Sequence, residues 1–503
     1  MPKLSVIIPA YKASGTLKAC LDHLYDSSFK DIEVIVVLDG PDTAASETLK
    51  VYKKVSIFEV PHGGVQKARN FGAKQATGDI LLFWDADCYV APDSLRLWVE
   101  ALDANPAAAF AYSGYVFNGT DSQRSGIAAH PWDPWLLRVS NFISTMSPVR
   151  KEWFFGFDES LKSLQDWDLW LTIADKGGKG IFVPGWAFET EYPSEGSISG
   201  EGCQPGVFQD RVATVKRKHK LPERDVCIAS LGHRDEGIAL AKLLDADYKD
   251  MPSFQKHDYK VVMLLGMYPQ ESDAHMDVFR NGPRELRKVV HYTGKDVELM
   301  MGCPFRPIRN LAKGLQKWAI NVCEDELTRR ALADLGITAK VLPLPVTTKD
   351  VLTDLPKDFR VLVHADDAFG PLADSIVKAM PDIKFTIADA ATPVKMADHS
   401  VLLRLARIPV LGEQDKKMLV NGRHAISNIK APYAGFISAD RGMHDFKHKV
   451  VEKLDFYSQL QEPNRAAQAH YLQELNSEKY SKLLLDLVAE AKGNVVGEKA
   501  INA

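Results

Sequence analysis

Short, fully apolar runs alternate along this chain with longer stretches in which apolar residues recur at helical spacing. Apolar runs without polar alternation are typical of strands buried on both faces of a parallel sheet. Three such runs, at residues 4–11, 226–232 and 361–366, each enter a loop and then a helical pattern. The pattern therefore predicts an α/β protein with three units of strands and helices.

Two stretches mark the predicted boundaries between these units. Residues 211–224 are rich in lysine and arginine and contain Pro222, and Pro343 and Pro345 forbid a continuing helix. We therefore expect domains at residues 1–222, 223–345 and 346–503. The basic stretch is interpreted as a solvated helix face or linker, with a phosphate-binding patch as the alternative. The tail at 464–492 is predicted to be helical and to pack back on a sheet.

Composition narrows the class of protein. Of 503 residues, 46% are hydrophobic and 25% charged, as in soluble globular proteins. The longest apolar runs are strand-sized, far below the roughly 18 residues of a membrane span. The short apolar run at the N-terminus is broken by Pro9 and lacks the pattern of a secretory signal. We therefore expect no membrane span and a cytoplasmic location.

Charge and cysteine content argue against an overall nucleic-acid-binding surface and against a zinc site. A net charge of -4 argues against a wholesale electrostatic grip on nucleic acid, although a local basic groove stays open. The six cysteines lie far apart, without a C-x-x-C pair or histidines at zinc-ligand spacing. They are predicted to be buried thiols.

Carboxylates follow two of the predicted strands in the first domain. Asp39 ends the apolar run that begins at Ile32, and Asp85-Ala86-Asp87 ends a strand predicted at residues 78–87. Ligands bind outside the carboxyl ends of strands in open α/β sheets. Residues two apart on a strand share a face, so Asp85 and Asp87 could both approach one Mg²⁺ or Mn²⁺. Acidic pairs after strands also solvate turns or cap helices, and that alternative stays open for the pair alone.

Further motifs accompany these carboxylates, in a fixed order along the first 200 residues. Taken together they resemble family 2 glycosyltransferases of the GT-A fold. The motifs are Pro9-Ala10-Tyr11, Asp39, Ala68-Arg69-Asn70-Phe71-Gly72, Asp85-Ala86-Asp87, residues 156–161, residues 165–171 and a closing segment at 192–199.

This resemblance implies a nucleotide sugar, taken to be a UDP-sugar, lying across the strand ends. It implies that Asp39 holds the base or ribose, with a turn cap as the alternative. Arg69 and Lys67 would contact the nucleotide or diphosphate, although Lys67 could equally be a solvated helix residue. Asp87 would bind Mn²⁺ or Mg²⁺, and Asp85 the ribose, the metal or a metal-bound water. Pro9 and Tyr11 complete the expected donor-binding set.

The resemblance also implies a general base. Family members usually carry Glu-Asp before an apolar helix, and here the pair is Gln165-Asp166. Asp166 is therefore the expected base, and Asp168 is interpreted as helix-start electrostatics, with a swap of their roles as the alternative. A single base without an opposing nucleophile implies displacement with inversion at the sugar carbon. One or two of the first domain's many tryptophans are expected to line the acceptor groove.

Residues 223–503 weakly resemble the GT-B fold of family 4 type glycosyltransferases, with two Rossmann-like halves. The strongest match is residues 418–428, but the family's donor-binding glutamate is replaced by Lys417, for which Glu413 could substitute. We expect a degenerate module that binds acceptor or organises a dimer, with an active second transferase as the alternative. Four basic residues at helical spacing suggest a solvated helix face or a site for a polyanionic acceptor: Arg306, Arg309, Lys313 and Lys317.

The sequence thus predicts an inverting, metal-dependent glycosyltransferase with a hydroxyl acceptor. The acceptor could be a glycan, a protein, a soluble metabolite or a hydroxymethylated pyrimidine in phage DNA. Two alternatives stay open: a bifunctional enzyme with two active modules, and a non-catalytic carbohydrate- or nucleic-acid-binding protein on decayed transferase domains.

Overall fold

The computed structural model describes most of the chain, with gaps. The described residues are 3–118, 124–127, 129–191, 207–230, 234–250, 259–267, 286–293, 295–302, 314, 316–317, 319–345, 354–365, 369–388, 396–405, 413–421, 423–427, 434–437, 443–460, 462–474, 480, 482 and 484. The chain divides into two compact units, Met1–Glu223 and Arg224–Ala503.

Nine strands within the described part of the first unit form one sheet, in the order β3-β2-β1-β4-β8-β6-β9-β5, with β7 paired to β6. They are β1 (Leu4–Ala10), β2 (Ile32–Asp39), β3 (Val55–Val60), β4 (Ile80–Phe83), β5 (Cys88–Val90), β6 (Ala108–Asn118), β7 (Arg124–Ile127), β8 (Val149–Arg150) and β9 (Lys179–Glu191). Strands β3, β2, β1 and β4 run parallel, as do β6 and β9.

The helices of this unit connect the strands. They are α1 (Leu17–Asp26), α2 (Thr43–Leu49), α3 (Val65–Gln75), α4 (Ser94–Ala104), α5 (Pro134–Val139), α6 (Gln165–Asp175) and α7 (Val207–Lys218), with a short 3₁₀ helix at Lys151–Trp153.

The central strands are buried because their sequences are apolar on both faces. Every residue of β1 and β4 is buried, which agrees with the strands predicted from the apolar runs that begin at Leu4 and Ile80. Strand β3 was not predicted, because it lies at the sheet edge and mixes half-buried and exposed positions. Hydrophobic runs alone do not mark such an edge strand.

The prediction that the strand continues through Asp85 and Asp87 is wrong. Strand β4 stops at Phe83, and a turn follows in which the Cys88 N–H donates to the Asp85 carbonyl at 3.1 Å. The two carboxylates are therefore displayed by a turn between β4 and β5. Their common approach to a cation depends on this turn and not on the pleat of a strand.

The second unit contains two separate sheets, each entirely parallel within the described residues. The first has the order β11-β10-β12-β13-β14-β15 and the second β17-β16-β18-β19-β20. Their strands are β10 (Val226–Ser230), β11 (Asp247–Asp250), β12 (Val261–Leu265), β13 (Arg287–Tyr292), β14 (Ile320–Cys323), β15 (Lys340–Val341), β16 (Arg360–Ala365), β17 (Lys384–Ala388), β18 (Val401–Leu405), β19 (His424–Ser427) and β20 (Gly435–Phe436). When the strands are numbered by sequence order within each sheet, both orders begin 2-1-3-4-5, one of the common doubly wound arrangements.

Helices of the second unit separate these strands in sequence. They are α8 (Arg234–Leu243), α9 (Lys295–Gly302), α10 (Glu326–Asp334), α11 (Gly370–Ala379), α12 (Glu413–Val420), α13 (Met443–Ser458) and α14 (Arg465–Glu474), with a 3₁₀ turn at Met396–Asp398. Helix α14 agrees with the start of the predicted helical tail. Most of the remainder of that tail lies outside the described residues.

Two expectations from composition can be compared with the described residues. Searching these residues for a helix long and apolar enough to cross a membrane gives none. Cys20, Cys88, Cys227 and Cys323 are buried thiols, as predicted. Cys203 and Cys303 lie outside the described residues.

Candidate active site

The carboxyl ends of β2, β1 and β4 lie side by side at one edge of the first sheet. Strand β1 is flanked by β2 and β4 in parallel register, with Ala10 opposite Leu38 and Ile7 opposite Phe83. The segments that leave these strands carry Asp39, Tyr11 and the Asp85–Asp87 turn. The fold therefore brings together carboxylates that are nearly fifty residues apart in sequence.

The Asp39 carboxylate accepts hydrogen bonds from the loop before helix α3. Its side chain is 3% exposed. One carboxylate oxygen accepts from the Gly63 N–H at 2.7 Å and the other from the Gly64 N–H at 2.9 Å. The carboxylate thus fixes the start of α3 as a loop anchor, a role that the turn-cap alternative only partly described.

An aromatic pair that the sequence analysis missed lies beside Asp39. The His62 ring stacks on Tyr11 with 4.3 Å between ring centroids, and its Nδ1 lies 3.1 Å from the Asp39 carbonyl oxygen. Tyr11 is 52% exposed. Pro9 is buried in β1. The Pro61-His62-Gly63-Gly64 loop directly before a helix was the available signal for His62.

The Asp85–Asp87 turn combines an exposed carboxylate with a half-buried one. Asp87 is exposed, whereas the Asp85 side chain is 35% exposed and forms an ion pair with Arg69. Two thiols lie beneath the turn: Cys20 Sγ is 3.6 Å from the Asp85 carbonyl oxygen, and Cys88 Sγ is 3.8 Å from Asp87 Oδ1. Burial and the two carboxylates raise the pKa of both thiols, so the thiols are neutral.

Arg69 connects the two halves of the site. Helix α3 presents it 2% exposed, with Nη2 donating to Asp85 and the guanidinium 5.4 Å from the centre of the Phe157 ring. Its Nε and Nη1 are buried and have no hydrogen-bond partner among the described residues. Buried guanidinium groups are normally satisfied, so two unsatisfied donors indicate a place for an anion or water. Lys67, which lies two residues before Arg69 on α3, is exposed.

Asp166 lies in the first turn of α6, two residues after a strained residue. Leu164 has a left-handed backbone with φ 58°, which is unfavourable for a branched side chain. Burial raises the pKa of the Asp166 carboxyl, while the Trp167 N–H, the Asn141 side chain and the Arg69 charge oppose that shift. Arg69 is therefore electrostatically coupled to Asp166 as well as paired with Asp85.

Asp168 has a different environment from Asp166. It is 2% exposed and accepts from Lys218 at 2.8 Å and from His219 at 2.8 Å. The interpretation as simple helix-start electrostatics is therefore incomplete, because the carboxylate is a buried ion-pair partner of the segment that ends α7. The basic stretch 211–224 is likewise more than a solvated face, since its Lys218 and His219 are engaged.

One tryptophan stands apart from the others in this unit. Trp84, Trp167 and Trp170 are buried and pack in the core, whereas Trp186 is 53% exposed. Its indole lies on glycine backbone of neighbouring strands: a Cβ added to Gly114 or Gly126 would lie 2.9 Å or 2.6 Å from the ring. Trp186 pairs with Gly114 in the β6–β9 register, so the outer ring face is presented on the sheet.

Several sequence-predicted features cannot be placed. The closing segment at 192–199 lies outside the described residues, as do Arg306, Arg309 and Lys313. Lys417 and Glu413 belong to helix α12, but their side chains are also outside the described set. Within the described residues, groups of three or more side chains able to hold a metal ion are absent.

Comparison with known proteins gives a family match within this unit. Residues 5–157 match the model of glycosyl transferase family 2. The N-terminal unit carries a glycosyltransferase domain of this family. The match covers the strands and turns that form the edge described above, including Asp39, Arg69 and the Asp85–Asp87 turn. It confirms the resemblance for this region; the GT-B-like second half stays a prediction.

Curated relatives match this chain over only part of their own length. The uncharacterized glycosyltransferase EpsJ of Bacillus subtilis is 31% identical over 109 residues, which are 21% of this chain and 32% of that protein. The poly(ribitol-phosphate) beta-N-acetylglucosaminyltransferase TarS of Staphylococcus aureus is 30% identical over 182 residues, which are 33% of this chain and 31% of that protein. The chain thus spans about a third of the length of these relatives.

Solved structures give a weaker likeness. S. aureus TarS 1–349 in complex with UDP-GlcNAc is 16% identical, covers 66% of this chain and 88% of that chain, and has a TM-score of 0.38. The mannosyltransferase PcManGT from Pyrobaculum calidifontis, in complex with GDP-Man and Mn²⁺, is 20% identical, covers 43% and 63%, and has a TM-score of 0.33. Scores this low carry no argument about the present site.

Proposed function

We propose that this protein is an inverting glycosyltransferase that moves a sugar from a UDP-sugar to a hydroxyl acceptor in the presence of Mn²⁺ or Mg²⁺. The observation that carries the proposal is Arg69: a buried cation coupled to Asp85 on one side and to Asp166 on the other, with two guanidinium nitrogens unsatisfied. A diphosphate is the anionic group of a nucleotide sugar, and Arg69 offers it charged hydrogen bonds.

Donor binding divides among three groups of residues. The exposed Tyr11 and His62 rings offer a stacking surface for the nucleoside. Asp39 holds the loop that carries His62 and presents its remaining acceptor capacity to base or ribose. Lys67 and Arg69 lie on the same helix and serve the diphosphate. Pro9 supports this arrangement as the buried end of β1, directly before Tyr11.

The Asp85–Asp87 turn fits a divalent cation. Mg²⁺ and Mn²⁺ are commonly held by one or two carboxylates, with substrate phosphates and waters completing the shell. Asp87 is exposed and can reach such an ion directly, while Asp85 is restrained by Arg69. When bound, the cation would neutralise charge on the departing diphosphate.

Asp166 is the base in this proposal. Its raised pKa brings the carboxyl closer to the pH at which it must accept a proton from the acceptor hydroxyl. The hydroxyl attacks the anomeric carbon as the bond to the diphosphate breaks, and the proton passes to Asp166. A single displacement of this kind inverts the configuration at that carbon. Asp168, saturated by Lys218 and His219, is poorly placed to take the role instead.

The acceptor side is assigned to the exposed Trp186. Sugar rings stack their apolar C–H faces on aromatic rings, and two glycines leave the indole flat on the sheet. A glycan acceptor agrees best with this surface. TarS, named for transfer to poly(ribitol-phosphate), supplies a precedent for a polyol-phosphate acceptor. A hydroxymethylated pyrimidine in DNA stays a candidate to be tested beside them.

The second unit is assigned to the acceptor. We infer two Rossmann-like halves of a GT-B-like module from its two all-parallel sheets. Lys417 at the position of the family's glutamate argues against donor binding there, so the unit would capture acceptor or organise a dimer.

The decisive experiment measures nucleoside diphosphate release over a panel of UDP- and GDP-sugars, with Mn²⁺ and with EDTA. Asp166→Asn is expected to keep UDP affinity by calorimetry and to lose turnover about 10²–10⁴-fold. Asp87→Ala is expected to lose Mn²⁺-dependent UDP binding while folding cooperatively.

Three outcomes contradict the proposal. Tight UDP binding in EDTA would contradict the proposed need for a metal ion in donor binding. An active Asp166→Asn beside an inactive but folded Asp168→Asn moves the base to the other carboxylate. Absence of turnover with every donor favours a non-catalytic binding protein.

A further inference from the structure

We propose that Lys218 and His219, which follow one another at the end of α7, are positioning residues that hold helix α6 and thereby Asp166. The inference rests on the proposed role of Asp166 as base. It assigns a task to the segment after the family-matched region, since residues 5–157 end before α6 begins. Neither residue touches the reacting atoms in this scheme.

His219 joins the two ends of α6. Its Nε2 lies 2.8 Å from Asp168 Oδ1 and its Nδ1 lies 2.9 Å from Asp175 Oδ2. The two aspartates are seven residues apart, about two helical turns, so they lie on the same face of α6. The imidazole side chain, 5% exposed, spans them.

The geometry also fixes the charge of His219. A neutral imidazole donates from only one nitrogen, whereas here both nitrogens meet carboxylate oxygens, so the ring is an imidazolium. Burial lowers its pKa, but the hydrogen bonds to Asp168 and Asp175 outweigh that effect and raise the pKa. The cation therefore persists to higher pH than in an ordinary histidine.

We call the contacts of Lys218 and His219 with the aspartates around α6 the clamp. Lys218 extends this clamp to a second element. Its Nζ lies 2.7 Å from Asp158 Oδ2 and 2.8 Å from Asp168 Oδ1. Asp158 follows Phe157, whose N–H donates to Asn70 Oδ1 at 2.8 Å on helix α3. Lys218 thus ties α6 to the loop that packs against α3, the helix that presents Arg69. The two catalytic-site helices are held through one lysine.

The need for such a clamp follows from the start of α6. Leu164 adopts a strained left-handed backbone immediately before Gln165-Asp166, and strained residues persist only where their surroundings hold them. The charged groups that meet at the clamp are Asp158, Asp168, Asp175, Lys218 and Arg138, which pairs with Asp175. With His219 neutral, the three carboxylates would face two cations.

The pH dependence has a definite sign. The pKa of His219 is raised in the folded protein, so its stabilising charge is complete below the ordinary histidine pKa and is lost as pH rises through the raised value. Asp158, with its pKa lowered to about 2, and Asp175, with a lowered pKa, stay charged throughout that range. Turnover should therefore fall on the alkaline side as His219 loses its proton.

The test uses the full chain with the donor that shows turnover, and compares His219→Gln with Arg217→Gln, an exposed residue of the same helix. His219→Gln is expected to lower kcat about tenfold to hundredfold, as misplacement by about 1 Å does, with donor KM and UDP affinity unchanged. Its alkaline limb should disappear. Lys218→Met should lower kcat similarly, and Lys218→Arg should restore it.

Amide hydrogen exchange supplies a measurement independent of activity. Exchange in residues 165–175 should accelerate in His219→Gln and not in Arg217→Gln. Wild-type exchange, kcat and pH profile in His219→Gln would overturn the clamp, even where Asp166→Asn is inactive and the proposed function stands. An active Asp166→Asn refutes the proposed base instead, and accelerated exchange would then leave His219 as a support of α6 alone.

Discussion

Replacing Gly72 by alanine perturbs the packing of helix α3 against the sheet, on the side away from the site. Gly72 lies on α3 three residues after Arg69 and faces the sheet. An added Cβ would fall within 3.0 Å of Ile7 Cγ2, closer than real Cβ atoms come, and 3.2 Å from Val37 Cγ2. Ile7 is fully buried, so relief requires that α3 move away from β1 and β2.

The size of the effect follows from two opposing contributions. Overpacking a well-packed core by one methyl group costs about 1–3 kcal/mol. Alanine gains about 1 kcal/mol over glycine in helix propensity, which leaves a net loss of up to about 2 kcal/mol. For a unit of this size that is a fall of up to about 8 °C in the melting midpoint. Because the moving helix carries Arg69, turnover should fall up to about 10²-fold.

The assay pairs thermal unfolding with donor turnover in Gly72→Ala and in Gly15→Ala. Gly15 is the matched control, because an added Cβ there meets nothing within 4 Å. Turnover should fall in Gly72→Ala well beyond any loss explained by unfolded protein, and stay unchanged in Gly15→Ala. A Gly72→Ala protein that is about 1 kcal/mol more stable and fully active would refute the packing argument, since helix propensity alone would then explain it.

Gly126→Ala should lower the melting midpoint and weaken acceptor use, because its Cβ would meet the Trp186 ring at 2.6 Å; unchanged acceptor KM would dissociate Trp186 from acceptor binding. A fragment of residues 1–222 should fold and hydrolyse the donor yet transfer poorly to the natural acceptor, as transfer assays with and without the second unit would show. Lys417→Glu should create little new activity, and sugar transfer by residues 223–503 alone would instead make the protein bifunctional.

The sequence predicted what depends on local pattern. Continuous apolar runs located β1, β2 and β4. The turn that displays Asp85 and Asp87 was mistaken for strand, since a buried Trp84 extends the apolar run past the last strand residue.

Contacts between distant residues were beyond the pattern. Asp168 and His219 are 51 positions apart, and a basic stretch of sequence does not reveal which of its members find buried partners. His62 escaped notice for a similar reason: its stacking on Tyr11 exists only because β1 and the loop before α3 meet at one edge. The burial and pairing of charged side chains are tertiary properties, so the roles of Asp39 and Asp168 emerged only with the fold.

Charge balance at the edge of the sheet gives the strongest physical reason to expect a divalent cation. Asp85, Asp87 and Asp166 bring three carboxylates, against which α3 sets Arg69 and Lys67. A nucleoside diphosphate adds further negative charge to this surplus, and like charges in a partly buried site repel strongly. Arg69 cannot cancel both, because its Nη2 is already held by Asp85. A divalent ion at Asp87 would reverse the balance, so UDP affinity should rise with Mn²⁺ in the wild type and respond little in Asp87→Ala. Equal affinity of the wild type with and without Mn²⁺ would mean that Arg69 leaves Asp85 for the diphosphate, and the salt bridge would then be a switch of the donor-free state.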